Sequence, residues 1–300
     1  MKRRKFLKTS TGSALALAVL SASIPKVEAP KLKMMATNWG FVGTHDDFCK
    51  AAKKEDYDGI ELWFPDTKEQ QEELLSALKK HQLEIGFLCG GNQKNAKEHL
   101  QSFKEAVIGA TKFGIKPLYI NCHSGKDFFS FEENQPFIEF TTLQEKATGV
   151  TICHETHRGR MLFAAHITKK FIDQNPKLNL TLDISHWCNV HESMLEDQAE
   201  SVELALSRTA HIHARVGHAE GPQVNDPRAP EWEFALKKHI EWWDIVVERR
   251  VKNGEIVTIL TEFGPPSYLQ TLPFTNQPVA DQWGINVYMM KFLKERYLKK

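Results

Sequence analysis

Apolar residues along this chain alternate between two modes. Short β-type runs rich in Val, Ile, Leu and Phe are each followed by a stretch with helical spacing or a helix-start signal. The short runs cover residues 33–39, 59–64, 83–89, 117–122, 150–154, 178–183, 210–214 and 255–262. Helices are predicted over about 44–54, 67–81, 96–113, 136–146, 159–174, 192–207, 231–251 and 281–297. Pro65 stops the second run and Gly90-Gly91 breaks the third. Parallel strands need crossover connections, which helices supply, and eight such units favour a closed barrel over an open sheet. The expected architecture is α/β, a single (β/α)8 TIM barrel over residues 30–300, with no repeat, low-complexity tract or linker inside it.

The first 29 residues stand apart. Met1-Lys2-Arg3-Arg4-Lys5-Phe6-Leu7-Lys8 is basic with paired arginines, Ser13 to Ala22 is a short apolar stretch, and Val27-Glu28-Ala29 offers a small-residue cleavage site. This is the layout of a signal peptide, and Arg3-Arg4-Lys5-Phe6-Leu7-Lys8 resembles the bacterial twin-arginine export motif. The expected location is the periplasm; a basic amphipathic N-terminus on a cytosolic protein is the alternative. No other apolar stretch approaches the ~20 residues that span a bilayer, so no stable membrane insertion is expected after cleavage.

Setting that segment aside changes the charge. The whole chain carries 39 Lys+Arg and 38 Asp+Glu; residues 1–29 hold six of the bases and one of the acids, which leaves a net charge of −4. A mildly acidic barrel lacks the electrostatic footprint of a nucleic-acid binder, so no nucleic-acid partner is expected. Cys49, Cys89, Cys122, Cys153 and Cys188 are odd in number and contain no Cys-x-x-Cys pair. They read as packing residues, not as a disulfide framework or a zinc finger. The oligomeric state stays open, a homo-oligomer included.

Chemistry gathers at the strand ends. Four apolar runs terminate in Glu155, Asp183, His213 and Glu262. Parallel strands of a closed barrel bring such ends together at the face where active sites lie. Two Glu, one Asp and one His form an oxygen-rich donor set with one imidazole. It suits a hard or borderline divalent ion: Mn2+, Mg2+, Co2+ or Zn2+. Singly, each has a plainer role, because a carboxylate after a strand often caps a helix. The neighbours add to the set. His186 stands three residues past Asp183, and His123 ends the fourth run just before Gly125. His211 and His213 share one strand face; only the more C-terminal one reaches the rim, so His213 is the expected ligand and His211 packs below it. Glu61 reads either as a carboxylate orienting a polar pocket or as a structural salt-bridge partner.

In that order, Glu155, Asp183 with His186, His213 and Glu262 resemble the xylose isomerase-like barrel superfamily of sugar isomerases and epimerases. The chain is most similar to its tagatose/psicose 3-epimerase branch, over the whole of residues 30–300. The resemblance implies that Glu155, Asp183, His213 and Glu262 hold one Mn2+-like ion. It implies that Glu155 and Glu262 are also the catalytic acid/base pair on opposite faces of a small carbohydrate substrate, with His186 on a hydroxyl or carbonyl oxygen. One Glu would remove a proton beside a polarised carbonyl to give an enediolate. The other would return it to the opposite face, for epimerisation, or return would be to the neighbouring carbon, for isomerisation. Further substrate contacts are expected from His123, Arg215, Glu61, Trp39 and Trp63, the two Trp either stacking on a sugar face or filling the core.

The departures matter as much. Six residues past His213, where the epimerases have a substrate-contacting Arg nearby, stands Ala219, with Arg215 and His218 close by. Six past Glu155, where they often carry a second carboxylate, stands Met161, while Thr156-His157-Arg158-Gly159-Arg160 offers cationic groups. These departures speak against a free ketohexose and are compatible with an oxidised, acidic or glycosidic derivative, although Arg158 and Arg160 read equally well as a helix N-terminal loop making surface salt bridges. The Pro-rich loop 221–228 is either a pocket cover or a plain insertion. Two other functional classes share the fold. Endonuclease IV-like phosphodiesterases with three zinc ions need a His at the end of strand 3 and an Asp-x-His in the strand-7 loop. Here those places read Leu88-Cys89-Gly90-Gly91 and Asp226-Pro227-Arg228. A non-catalytic carbohydrate-binding barrel has no need of the intact two-glutamate pair.

Overall fold

The structure, a computed structural model, describes residues 31–298, and the expected signal peptide lies outside the described residues. The strands are β1 (Leu32–Thr37), β2 (Gly59–Trp63), β3 (Glu84–Gly90), β4 (Tyr119–His123), β5 (Thr151–Glu155), β6 (Asn179–Leu182), β7 (Thr209–Ala214) and β8 (Val257–Thr261). They pair in chain order, all parallel, and β8 returns to β1, so the barrel is closed. The helices are α1 (His45–Lys54), α2 (Lys68–His81), α3 (Ala96–Thr111), α4 (Phe131–Thr148), α5 (Ala165–Gln174), α6 (Ile184–Val190), α7 (Ala199–Arg208), α8 (Glu233–Lys252) and α9 (Gln282–Leu298). The chain forms a (β/α)8 TIM barrel.

Local signals set most boundaries. Thr44 and Asp47 form a capping box at α1, Thr67 accepts from Gln70 N–H at α2, and Asn95 caps α3. Three boundaries differ from the sequence expectation. The α4 helix begins at Phe131, ahead of Pro136, because Ser130 and Glu133 form a capping box that satisfies its first-turn amides. The helix expected over 192–207 is two: α6 starts directly after β6, capped by Asp183, and α7 follows a short 3-10 turn at Glu196–Gln198. The α5 helix starts at Ala165 without a side-chain cap, which leaves 156–164 as an irregular loop on the C-terminal face.

Alternation along the strands separates two environments. Ile60, Ile85, Ile120, Ile152, Leu180, Ile212 and Ile259 belong to the main core between barrel and helices. Met35, Tyr119 and Leu260 form a separate small cluster inside the barrel. A Cβ on Gly86 would lie 2.4 Å from the Tyr119 ring, so only glycine leaves the ring its place. That ring stacks on His211 with centroids 3.8 Å apart. Above this floor the inward positions turn polar.

Candidate metal centre and pocket

Glu155 is the last residue of β5, Asp183 follows β6, His213 lies near the end of β7, and Glu262 follows β8. One donor atom from each lies within 4.8 Å of the others, and all four residues are buried. His213 Nδ1 stands 2.9 Å from Glu262 Oε2 and 3.7 Å from Glu155 Oε2. Asn121 Nδ2 donates to Glu155 Oε2 at 2.6 Å, and His123 Nε2 is 3.0 Å from the same oxygen. Asp183 has two duties: its Oδ1 caps α6 by accepting from Ser185 N–H at 3.2 Å, and its Oδ2 meets the Arg215 guanidinium.

Below the cluster, Glu61 bridges two imidazoles. Its Oε1 is 3.2 Å from His213 Nε2 and its Oε2 is 3.2 Å from His211 Nε2. His211 Nδ1 faces the Thr258 hydroxyl at 2.8 Å. Beside the cluster, Arg215 continues the inward series of β7 and is only 1% exposed. Besides Asp183, it donates to His186 Nε2 at 2.8 Å and to Ser185 Oγ at 3.3 Å, and it lies 3.7 Å from Glu262 Oε2. The guanidinium packs against the Tyr268 ring, 4.8 Å from its centroid.

Crowded carboxylates shape the electrostatics. Burial lifts Asp183 to about 7 against the pull of Arg215, and the charges of Glu262 and Glu155 add to the lift. Burial opposes the charge of Glu155, but His123 and His213 hold its carboxyl well below the usual range. His213 is pushed up, against burial, by Glu262, Glu61 and Glu155. Three carboxylates and one imidazole are a donor set that a divalent ion would fit, and its charge would offset the burial and the Glu262 and Glu155 charges that lift Asp183. Two other triplets, Glu61–His211–His213 and His123–Glu155–His157, have the spacing of a metal site, each sharing a member with the main cluster.

A cavity of about 470 Å3 opens over the cluster, within the usual range of ligand clefts. Of the residues expected from sequence, Glu155, Glu262, Glu61, His123, Arg215, Trp39 and Trp63 line it. Trp39 and Trp63 are 37% and 49% exposed, so they are walls of the pocket mouth and not core fillers. Asp183 and His213 lie behind the lining. His186 lies there too: it is fully buried, bonded to Arg215 and packed on His157 with centroids 3.9 Å apart. The loop 221–228 contributes no lining residue. Its Gln223 instead clamps Gly264 through bonds of 2.7 and 3.2 Å, bracing the chain just past Glu262.

Sequence reasoning gave no role to Asn121, although it precedes His123 by two and so shares its inward face. Tyr268 was also missed. It sits in the irregular segment between β8 and α9, where no periodicity points to it.

The sequence profile of the xylose isomerase-like TIM barrel family matches residues 49–229. The chain belongs to that family. A comparison with curated protein sequences finds no match. Among solved structures, the chain is similar to 3-keto-D-glucoside 4-epimerase from E. coli, with 14% identity, a TM-score of 0.58, and coverage of 88% of this chain and 99% of that one. It is similar to a D-tagatose 3-epimerase-like protein at 12% identity and a TM-score of 0.59, covering 89% and 97%. It is also similar to a family 2 AP endonuclease from Brucella melitensis at 14% identity and a TM-score of 0.54, covering 79% and 94%. At these identities the likeness is one of fold.

Proposed function

We propose that the protein is a divalent-metal-dependent isomerase or epimerase acting on a sugar or sugar derivative, exported to the periplasm. One observation carries the reading. Glu155 and Glu262 border the same cavity, and each is anchored through Oε2, by Asn121 and His123 in one case and by His213 in the other. The Oε1 atom of each has no protein partner among the described residues. Two carboxylates held at one oxygen and open at the other are suited to moving a proton off and onto carbon.

Glu155, Asp183, His213 and Glu262 would hold the ion, with Mn2+ first by the family resemblance and Mg2+, Co2+ or Zn2+ equally compatible with the donor types. When bound it supplies Lewis-acid polarisation of a substrate carbonyl and its adjacent hydroxyl. Glu61 and Asn121 keep the His213 ring and the Glu155 carboxylate in place. One glutamate takes the proton from carbon, leaving an enediolate in the substrate, and the other returns it. Arg215 lines the cavity next to Glu262 and presents a fixed positive charge to developing oxygen charge. Trp39, Trp63 and Tyr268 wall the site and limit water.

The phosphodiesterase reading finds less support. Cys89 is buried, and Asp226 is occupied by Arg228, whose Nε lies 2.8 Å away. Metal analysis of purified protein, combined with solvent deuterium uptake into keto-sugars and sugar acids, tests the proposal. One equivalent of metal and deuterium on carbon support it. Three zinc ions point to phosphodiester chemistry, and one metal without exchange into any tested sugar points to a binding protein.

A further inference from the structure

The cationic segment after Glu155 divides in two. Arg158 is spent: its Nη1 donates to Asn189 Oδ1 at 2.9 Å and its guanidinium covers the Tyr268 ring. Arg160 is not. Its guanidinium lines the cavity and makes one hydrogen bond among the described residues, from Nη1 to the Gly91 carbonyl at 3.2 Å. Among the described residues no carboxylate comes within ion-pairing distance, although Glu155 and Asp127 lie near enough to favour its charge.

A Cβ on Gly91 would lie 2.9 Å from Gln93 Oε1 and 3.0 Å from His99 Cδ2, so the loop there is closely packed. A carbonyl fixes the guanidinium without neutralising it. Arginine stays charged and presents five donors in a planar fork, so most of this fork is left for a ligand. A half-buried cation without a partner is unfavourable, which an anion in the cavity would correct. Trp63 and His123, edge to face at 5.3 Å, form the adjoining wall.

We propose that Arg160 forms a subsite for a carboxylate on the substrate, making the substrate a sugar acid whose carbon backbone runs from Arg160 to Glu155 and Glu262. A single planar fork matches a singly charged carboxylate. Besides Arg160 the cavity lining holds one other Arg or Lys, Arg215, which sits against Asp183 and Glu262, so the Arg160 fork by itself is matched to one carboxylate charge and not to a phosphate dianion. The inference rests on the carbohydrate reading above.

The test is calorimetric titration of purified protein, supplied with Mn2+, against glucuronate and galacturonate, their neutral parents glucose and galactose, and glucose 6-phosphate. The expected result is binding of at least one uronate about ten-fold or more tighter than its parent, the scale of a charge-assisted bond. R160M should abolish that preference, bringing uronate affinity down to that of the neutral parent, with R160K intermediate. Uronates that bind no better than hexoses, a preference that survives R160M, or tighter Arg160-dependent binding of the phosphate would each overturn the proposal. Arg160-dependent uronate binding without carbon–hydrogen exchange would remove the isomerase reading and keep the subsite. Exchange into neutral sugars, equal in wild type and R160M and without uronate preference, would do the reverse.

Discussion

Glu61 offers the sharpest test of how the centre is held. It is 3% exposed and faces the far nitrogen of two rings, His213 Nε2 and His211 Nε2, each at 3.2 Å. The near nitrogens are already engaged, His213 Nδ1 by Glu262 and His211 Nδ1 by Thr258. Burial opposes its charge, yet His213 and His211 hold the carboxyl far below its usual value. Its stabilising contribution is therefore present in full above the unfolded carboxylate pKa, about 4.5, and lost as pH falls below it. Glu61→Leu keeps similar volume, leaves His211 Nε2 facing no carboxylate, and leaves His213 Nε2 only the Asn121 amide, 3.2 Å away. Breaking a buried pair from one side costs about 3–5 kcal/mol, and Glu61→Gln, which keeps one acceptor, should cost about 1–3 kcal/mol. Loss of ring orientation should also weaken Mn2+ binding by about 10–100-fold. Urea denaturation with EDTA at pH 7 reads the first effect, and Mn2+ titration of the folded variants reads the second. A wild-type urea midpoint in E61L would refute the buried-pair argument. Wild-type Mn2+ affinity in both variants would refute the orienting role.

Four further outcomes are expected. Asp183→Ala and His213→Ala should each abolish stoichiometric metal binding; full occupancy in either, by metal analysis, would place the ion elsewhere. Glu155→Gln and Glu262→Gln should lower turnover on a confirmed substrate by about 10²–10⁴-fold, and unchanged rates in both would end the two-glutamate mechanism. His239 is buried and pulled down to about 4 by burial; Nδ1–H donates to the Ala235 carbonyl and Nε2 accepts Gly217 N–H. The unfolded chain then binds more protons between pH 6.5 and 4, so stability falls as pH falls, by about 2 kcal/mol at pH 5 from this group. His239→Gln should flatten that part of a denaturation-versus-pH curve, and an unaltered slope would assign it to other groups. Replacing Arg3 and Arg4 by Lys should leave unprocessed precursor in the cytoplasm, and normal export and cleavage by fractionation would remove the twin-arginine assignment.

The barrel and its centre were readable because one rule served both. Period-two alternation that puts Ile120 and Ile212 against the helices also aims Asn121, His123, His211, His213 and Arg215 inward. A ligand at a strand end is therefore visible as a polar residue in phase with the inner face. What resisted reading lies where no period exists. Tyr268 and the loop 156–164 are irregular backbone, and the division of labour between Arg158 and Arg160 depends on Asn189, Gly91 and Tyr268, distant in sequence. The early start of α4 has its signal in Ser130 and Glu133, whereas the helix expected from sequence starts at Pro136, a residue common in the first turn. His186 had the spacing of a substrate contact; only the folded chain reveals that Arg215 and His157 stand between it and the cavity.

The two roles of Asp183 decide how substitutions at the centre must be interpreted. The carboxylate caps α6 through Oδ1 and meets Arg215 through Oδ2. Alanine removes the cap, the partner of Arg215 and the metal donor together, so lost activity in D183A does not separate chemistry from folding. Asparagine caps a helix as well as aspartate does but brings no charge. In D183N, α6 should keep its start while Arg215 is left as a buried cation whose nearest remaining carboxylate is Glu262, 3.7 Å away. Glu262 is itself the partner of His213. Removing charge from Asp183 should thus draw Arg215 toward Glu262, one of the two residues proposed for proton transfer. Asp183, His213, Glu155, Glu262 and the buried Arg215 share one charge balance, and a substitution at Asp183 is felt at the residues proposed for proton transfer as well as at the proposed metal site.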